Sequence, residues 1–331
     1  MKSYIHRIPK GKSFVYLDSE NHPIQDRDLK SWIKSLVIPP AWNEVFINPS
    51  KTAKLHAWGR DAKGRKQYVY NPNYRKKREQ RKFDRIIAFA ERLSHMRKVT
   101  GQHLCGKKLN RNRVLACMTR LLDGAYFRPG NPAYTAQNET YGLTTLRSKH
   151  LNIEGATLTF NYRGKSGQQQ EQKVTDRRLA NIVRQLDEMP GYEIFQYIDE
   201  NGKRVKVSSY DLNQYIREIM GEEFSAKDFR TWAGTYIAAI TLDELGICDN
   251  PKSSNKNICH AVRQVSKILG NTQAVARASY IDPRVFNHYS NGTIISSLKS
   301  KIKSVVKKSD MTSPEEKAVL ALIQYVMKKK L

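Results

Sequence analysis

Hydrophobic and polar positions alternate differently in the two parts of this chain. Up to about residue 80 the apolar residues come in short β-prone runs: Phe14-Val15-Tyr16-Leu17, Glu44-Val45-Phe46-Ile47 and Tyr68-Val69-Tyr70. Lys54-Leu55-His56-Ala57-Trp58 and Gln67-Tyr68-Val69-Tyr70 flank Gly59-Arg60-Asp61-Ala62-Lys63-Gly64-Arg65, a glycine-bounded turn that predicts a hairpin. Ile38-Pro39-Pro40-Ala41-Trp42 interrupts any helix at that point. From about residue 82 the period becomes helical, with Ile86, Ile87, Phe89, Ala90 and Leu93 on one face. Val114, Leu115, Met118, Leu121 and Leu122 form a second such face, which Gly124 is expected to stop. Tyr74 to Arg85 is crowded with Lys and Arg. It is read either as the link between two domains, near residue 80, or as a solvated helix start.

One strand pair interrupts the helical part. Ala156 to Tyr162 faces Gln168 to Val174 across Gly164-Lys165-Ser166-Gly167, so Lys165 sits at a hairpin tip where a long cation reaches outward. Ser225-Ala226-Lys227-Asp228 has the form of a capping box, which starts a helix at Ser225 and puts Arg230 in its early turns. A helix through Ile258, Val262, Val265 and Leu269 ends at Gly270. Thr272 caps the next, which carries Tyr280 and stops before Pro283. The tail from Ser313 opens with Pro314, Glu315 and Glu316 and closes with Lys328, Lys329 and Lys330, which suits the helix dipole at both ends. The class is α+β: a small β-rich N-terminal domain over 1–80 and a larger, mainly helical domain over 81–331.

Charge changes the picture next. In 331 residues, 58 basic against 31 acidic side chains leave a formal charge of +27, too large a surplus for internal pairing. Its simplest partner is a nucleic acid backbone, bound through counterion release; a membrane surface or plain solubility accounts for charge alone. No apolar run of spanning length and no apolar leader is present, which argues against a spanning or secreted protein. The four cysteines, at 105, 117, 248 and 259, have neither zinc-site nor disulfide-framework spacing and are read as buried reduced thiols. The acidic residues form no dense cluster suited to magnesium.

Candidate chemistry is then a small set of side chains. Arg128 lies in Tyr-Phe-Arg-Pro-Gly, Lys165 in Arg-Gly-Lys-Ser-Gly, and Arg230 in Lys-Asp-Phe-Arg-Thr-Trp. Asn271 and Tyr280 are held nine residues apart by a short helix. A phenol, two guanidiniums, an amine and an amide are a kit for attacking a phosphodiester: the arginines clamp the equatorial oxygens of a five-coordinate intermediate, and the lysine protonates the leaving oxygen. Taken singly, each residue is as ordinary as any of seventeen tyrosines or a surface cation.

Their order is not ordinary. Ile38-Pro39-Pro40-Ala41-Trp42, Gly59 to Tyr68, Phe127-Arg128-Pro129-Gly130, Asn138-Glu139-Thr140-Tyr141-Gly142-Leu143-Thr144-Thr145-Leu146, Gly164-Lys165, Lys227-Asp228-Phe229-Arg230-Thr231-Trp232, Gly270-Asn271-Thr272 and Arg277-Ala278-Ser279-Tyr280 run in one sequence. In these motifs, from about Ile38 to Pro283, the chain resembles the poxvirus- and bacterial-type DNA topoisomerase IB family. The resemblance implies a catalytic domain related to that of tyrosine recombinases, closing with the small domain as a clamp around duplex DNA. It implies Tyr280 as nucleophile of a 3′-phosphotyrosyl link, Arg128 and Arg230 on the scissile phosphate, and Lys165 as general acid. Asn271 stands where many members carry histidine. An amide can hydrogen-bond a phosphate oxygen but adds no charge, so proton delivery rests more on Lys165. Gln67, Tyr68, Tyr70, Tyr134 and Lys227 are implied DNA contacts; sheet packing is the alternative for Tyr68 and Tyr70, which strand alternation puts on one face. Neither metal nor nucleotide is implied, nor any membrane or small-molecule substrate. The partner is double-stranded DNA, the protein a monomer, and its place intracellular: cytoplasm or nucleoid in a bacterium, virion or virus factory for a virus. A tyrosine recombinase, the nearest rival, typically carries histidine where this chain has Lys227, and a non-enzymatic DNA-binding module would leave the ordered motifs unexplained.

Overall fold

The computed structural model describes residues 4–11, 13–248, 250–301 and 313–325, with side chains described up to 298 in the third stretch. They fall into two compact units, one ending at Lys82 and the other beginning at Phe83. The class is α+β, with a sheet in the first unit and mostly helices in the second.

The first unit is a five-stranded antiparallel sheet in the order β2-β1-β3-β4-β5, with β1 Ile5–Lys10, β2 Ser13–Leu17, β3 Asn43–Ile47, β4 Leu55–Arg60 and β5 Lys66–Tyr70. The expected hairpin is β4 and β5. Helix α1, Arg27–Ser35, capped by the Asp26 carboxylate, was not anticipated, although Leu29, Trp32, Ile33 and Leu36 have helical spacing. Its Ile33 packs with Ile5, Val45, Ile47 and Ala57 to make the small core. The buried Arg7 explains the Pro-Pro segment. Its guanidinium donates to the carbonyls of Ile38, Pro39 and Trp42 at 3.1, 3.0 and 2.7 Å, and the Pro39 carbonyl also accepts from Trp42 N at 3.1 Å, which closes the turn.

The basic run of 74–85 is no irregular link. It lies inside one helix, α2 Pro72–Leu104, whose apolar face begins with Phe83, Ile86 and Phe89. In the second unit α3, Arg111–Ala125, runs through Gly124. The stop is Tyr126, a left-handed cap at φ 59° whose N–H donates to Leu122. The strand pair is the core of a three-stranded sheet, β6 Leu151–Glu154, β7 Thr157–Arg163 and β8 Gln169–Thr175, and a further hairpin pairs β9 Gln196–Ile198 with β10 Arg204–Lys206. The other helices are α4 Pro132–Asn138, α5 Arg177–Asp187, α6 Ser209–Met220, α7 Ala226–Leu245, α8 Pro251–Leu269, α9 Gln273–Ser279, α10 Pro283–Ser290 and α11 Pro314–Gln324. Ser225 and Thr272 stand at the N-caps of α7 and α9 as expected, and Ser313 stands at that of α11; the hydroxyls of Thr272 and Ser313 accept from backbone N–H groups of their helices. The three terminal lysines lie outside the described residues. All four cysteines are free, but only Cys117 is buried: Cys105 and Cys259 are exposed, so thiol burial is not general. No helix among the described residues is long and apolar enough to cross a membrane.

Glu316 does more than favour a helix dipole. It is buried at the start of α11 and, with Asp123 of α3, takes the guanidinium of Arg97 in four hydrogen bonds of 2.6 to 2.9 Å. Trp232 Nε1 lies 3.4 Å from the same carboxylate. This charge cluster ties the described C-terminal helix to α2, α3 and α7. Arg97→Ala removes the only cation hydrogen-bonded to those carboxylates among the described residues, and should cost about 3–5 kcal/mol. Urea unfolding checks it; a loss below about 1 kcal/mol would put the cluster among ordinary surface pairs.

Candidate active site

Four helix ends meet around two arginines. Arg230 enters from the first turns of α7, which its capping box sets: Ser225 N and Oγ both donate to the Asp228 carboxylate, at 2.9 and 2.8 Å. Arg85 Nη2 holds the same carboxylate at 2.7 Å. Arg230 is 2% exposed; its Nη1 donates to the Tyr126 carbonyl at 2.5 Å and its Nη2 to the Leu269 carbonyl at 2.6 Å. Arg128, just past α3, sends Nη2 to the Gly270 carbonyl at 2.8 Å and to Asn271 Oδ1 at 2.6 Å. The acceptors are thus chiefly carbonyls at the C-terminal ends of α3 and α8, where helices leave them unpaired and carry partial negative charge. Gly270 takes the left-handed conformation at φ 57° that closes α8.

Neither arginine has a carboxylate partner among the described residues. Burial, and then the neighbouring Arg230, pull Arg128 down to about 10. It stays protonated at neutral pH, so the pocket keeps two unneutralised positive charges. Asn271 Nδ2 and Arg230 Nε are buried with no protein partner, two N–H donors left over for an incoming acceptor.

Two phenols feel these cations, with opposite results. Tyr162 of β7 is 3% exposed, donates to Gln172 Oε1 at 2.6 Å, and is pushed up to about 12 by burial. Tyr280, the residue ending α9, is less enclosed. Burial raises it too, but the charge of Arg230, a side-chain hydrogen bond with Arg230, and the charges of Arg128 and Lys227 outweigh burial and leave it below the usual phenol value. The Arg230 guanidinium carbon lies 5.1 Å from the Tyr280 ring centroid. Arg128, Arg230, Asn271 and Tyr280 are therefore brought together. Lys165 is not joined to them: it is exposed at the β7–β8 tip, beside Ser166 and Gly167 in left-handed conformations, and makes no hydrogen bond or ion pair with a described residue.

The motif glycines work through the backbone. Gly142 lies against Gly130: a Cβ on Gly142 would stand 2.6 Å from the Gly130 Cα and N and 2.8 Å from the Arg128 carbonyl. That closeness lets Leu143 N and Thr144 N donate to the carbonyls of Arg128 and Pro129, each at 2.8 Å, which fixes the Arg128 backbone. Tyr141 N donates to the Arg163 carbonyl at 2.8 Å, tying the same segment to the Lys165 hairpin. Gly234, which the sequence reading passed over, does the same for Tyr280. A Cβ there would meet the Tyr280 carbonyl oxygen at 2.5 Å and its Cβ at 2.9 Å. Gln170 was also missed; it is buried in β8, with Oε1 3.5 Å from Arg128 Nη1. A glycine in an otherwise apolar helix was the available signal for the first; a glutamine in a polar strand offers none.

The expected DNA contacts divide. Tyr68 and Tyr70 are exposed on β5 with rings stacked 5.9 Å apart, so they are not sheet core. Gln67 Nε2 donates to Asp61 at 2.9 Å. Asp61 also accepts from Arg65, which holds its carboxyl down at about 2. Tyr134 of α4 and Lys227 of α7 are exposed. Among the described residues no group of three or more His, Cys, Asp or Glu is placed to hold a metal.

The comparisons with known proteins agree on one family. The profile described as "Eukaryotic DNA topoisomerase I, catalytic core" matches residues 71–309, and that described as "Bacterial DNA topoisomerase IB, N-terminal domain" matches 13–61. The chain is 34% identical to the DNA topoisomerase 1B of Acanthamoeba polyphaga mimivirus, over 87% of this chain and 88% of that one. It is 24% identical to the DNA topoisomerase 1B of Vaccinia virus (strain Copenhagen), over 82% and 85%. The chain belongs to the type IB DNA topoisomerases, enzymes that change the topology of DNA.

Gly234→Ala tests the packing behind Tyr280. Alanine should gain about 1 kcal/mol of helix propensity, yet displacing the Tyr280 backbone should slow plasmid relaxation about a hundredfold. A variant that is more stable and equally active would show that the contact does not position the ring.

Proposed function

We propose that this chain relaxes supercoiled duplex DNA through a covalent bond to Tyr280. The observation that carries the reading is the Tyr280 ring beside Arg230, in a pocket whose two guanidiniums pair with no carboxylate among the described residues. The Tyr280 oxygen attacks the scissile phosphorus and the bond to the 5′-oxygen breaks, leaving a 3′-phosphotyrosyl link. Arg128 and Arg230 hold the nonbridging oxygens as charge builds on them, helped by the free Nδ2 of Asn271. Lys165 swings in from the hairpin and gives its proton to the leaving 5′-oxygen. After the freed strand rotates, the 5′-hydroxyl attacks the phosphotyrosine, Lys165 takes the proton back, and the phenolate leaves. The ester energy is kept, so no ATP is consumed, and the cations that stabilise the transition state are side chains, so no metal is needed.

In this reading the catalytic unit is related in fold to the tyrosine recombinases, and the two units close as a clamp on DNA. Gln67, Tyr68, Tyr70, Tyr134 and Lys227 contact the duplex, and Lys227 also favours the Tyr280 phenolate. The enzyme acts as an intracellular monomer.

Tyr280→Phe decides the nucleophile. It should lower relaxation on the order of a thousandfold or more while duplex binding stays nearly intact, and wild-type relaxation should persist in EDTA without ATP. Normal relaxation by Tyr280→Phe would assign the chemistry to another residue. Lys165→Ala should slow single-turnover cleavage by about 10²–10⁴-fold and recover on DNA with a bridging 5′ sulfur, a leaving group that needs no proton. Absence of that rescue would remove Lys165 from the acid role.

A further inference from the structure

On the catalytic unit a second guanidinium site lies outside the pocket just described. Arg147 follows Leu146 at the end of the Gly142–Leu146 segment, and its guanidinium carbon is 5.5 Å from the Tyr141 ring centroid and 5.8 Å from that of Tyr192. Its side chain is half-buried, makes no hydrogen bond or ion pair with a described residue, and keeps a buried, unpartnered Nε. Tyr192 is 77% exposed, yet its segment is anchored: Ile194 N donates to the Leu146 carbonyl at 3.0 Å. The carboxylate beside it, Glu193, is taken by Lys206 Nζ at 2.8 Å. His150, whose Nδ1 accepts from Arg147 N at 3.1 Å, adds no negative charge. Burial, Lys149 and Arg147 hold it near 4, so it is neutral at physiological pH. The cluster thus presents one fixed cation beside two rings, with exposed Lys149 near it in sequence and no anion paired with it among the described residues.

Such a site costs stability unless something occupies it. A half-desolvated guanidinium with unused donors is stabilised by a planar or forked anion, and flanking rings hold it in place without taking up its charge. Its location narrows the anion. Tyr141 adjoins Gly142, which rests on Arg128, and Tyr141 N is bonded to Arg163 at the base of the Lys165 hairpin. The segment that bears the Tyr141 ring is therefore the one that builds the phosphate pocket. We infer that Arg147, held between Tyr141 and Tyr192, is a second phosphate-binding site, which takes a backbone phosphodiester of the DNA duplex flanking the cleaved one. It rests on the reading of Arg128 and Arg230 as the scissile-phosphate site only for its neighbourhood; its own role is binding. Arg147 anchors duplex and does not enter the bond-breaking step, and Tyr192, the more exposed ring, closes over the contact.

The test measures duplex binding in the Tyr280→Phe background, where no covalent capture contributes, as a function of salt. Losing one phosphate contact should reduce the slope of log Kd against log salt by about 0.9 and weaken binding to a similar extent on any DNA sequence. That is expected for Arg147→Ala and for Arg147→Gln, which keeps a planar group between the rings and guards against simple collapse of the site. Arg147→Lys should restore most of the slope. Tyr192→Ala should weaken binding with the slope retained. In the Tyr280-containing enzyme, Arg147→Gln should raise the DNA concentration needed for half-maximal single-turnover cleavage more than it lowers the rate at saturation, whereas a merely structural role would lower the saturated rate. An unchanged salt slope in Arg147→Gln, or slowed cleavage at saturating DNA with binding intact, would overturn the site. Either result leaves the Tyr280 chemistry standing, because that is judged by Tyr280→Phe alone.

Discussion

Two neighbouring like charges, one buried and one half-buried, are the constraint around which the catalytic unit is built. Arg128 and Arg230 repel each other and lose hydration, which is why Arg128 falls to about 10. The protein does not solve this with carboxylates, which would cancel the charge. It uses the carbonyls of Tyr126, Leu269 and Gly270, half-charges at helix ends that hold a guanidinium by direction and leave most of its field free. A phosphodiester can then supply the missing negative charge. The left-handed turns at Tyr126 and Gly270 belong to the same device, since each closes a helix whose last carbonyls turn toward the arginines.

The rest of the site follows from holding those ends in register. Gly130 against Gly142 lets two chain segments share backbone hydrogen bonds behind Arg128, and Gly234 lets α7 touch the backbone of Tyr280. The two tyrosines show how environment sets a phenol: nearly full enclosure raises Tyr162 to about 12, while Tyr280, less enclosed and beside Arg230, is lowered. Lys165 stays out of this packed assembly, at a hairpin tip whose two left-handed residues leave it exposed. That placement agrees with the proposed role of Lys165 as a proton donor that reaches in from outside the pocket.

The small unit obeys the same logic. The Ile-Pro-Pro-Ala-Trp segment is held by Arg7 through three carbonyls, and the Gly-Arg-Asp turn closes around Asp61, which accepts from Arg65 and Gln67. Both motifs are backbone supports. The side chains that face outward, Tyr68 and Tyr70, alternate with Val69, which packs on the core. Family motifs here mix outward-facing side chains with residues that shape the chain beneath them, and only contacts separate the two.

Periodicity and caps made the secondary structure of the catalytic unit largely legible: the capping box at Ser225, the stop at Gly270, the Thr272 cap and the hairpin under Lys165 are local devices, written within a few residues. The charge surplus and the order of motifs likewise pointed to DNA and to the family. Other features were not local. The stop at Tyr126, rather than Gly124, depends on a φ that no tyrosine announces. The basic run lies inside α2, whose buried face begins only at Phe83, so its own residues carry little apolar signal of the helix. Glu316 reads as a dipole partner until its contact with Arg97, more than two hundred residues away, is seen. Sequence alone therefore determined the family and the local frame of helices, caps and hairpin on which the candidate side chains sit. Only the tertiary structure decided which carbonyls hold them, which phenol is lowered and which cation is left without a partner, because those outcomes depend on distance and burial between segments far apart along the chain.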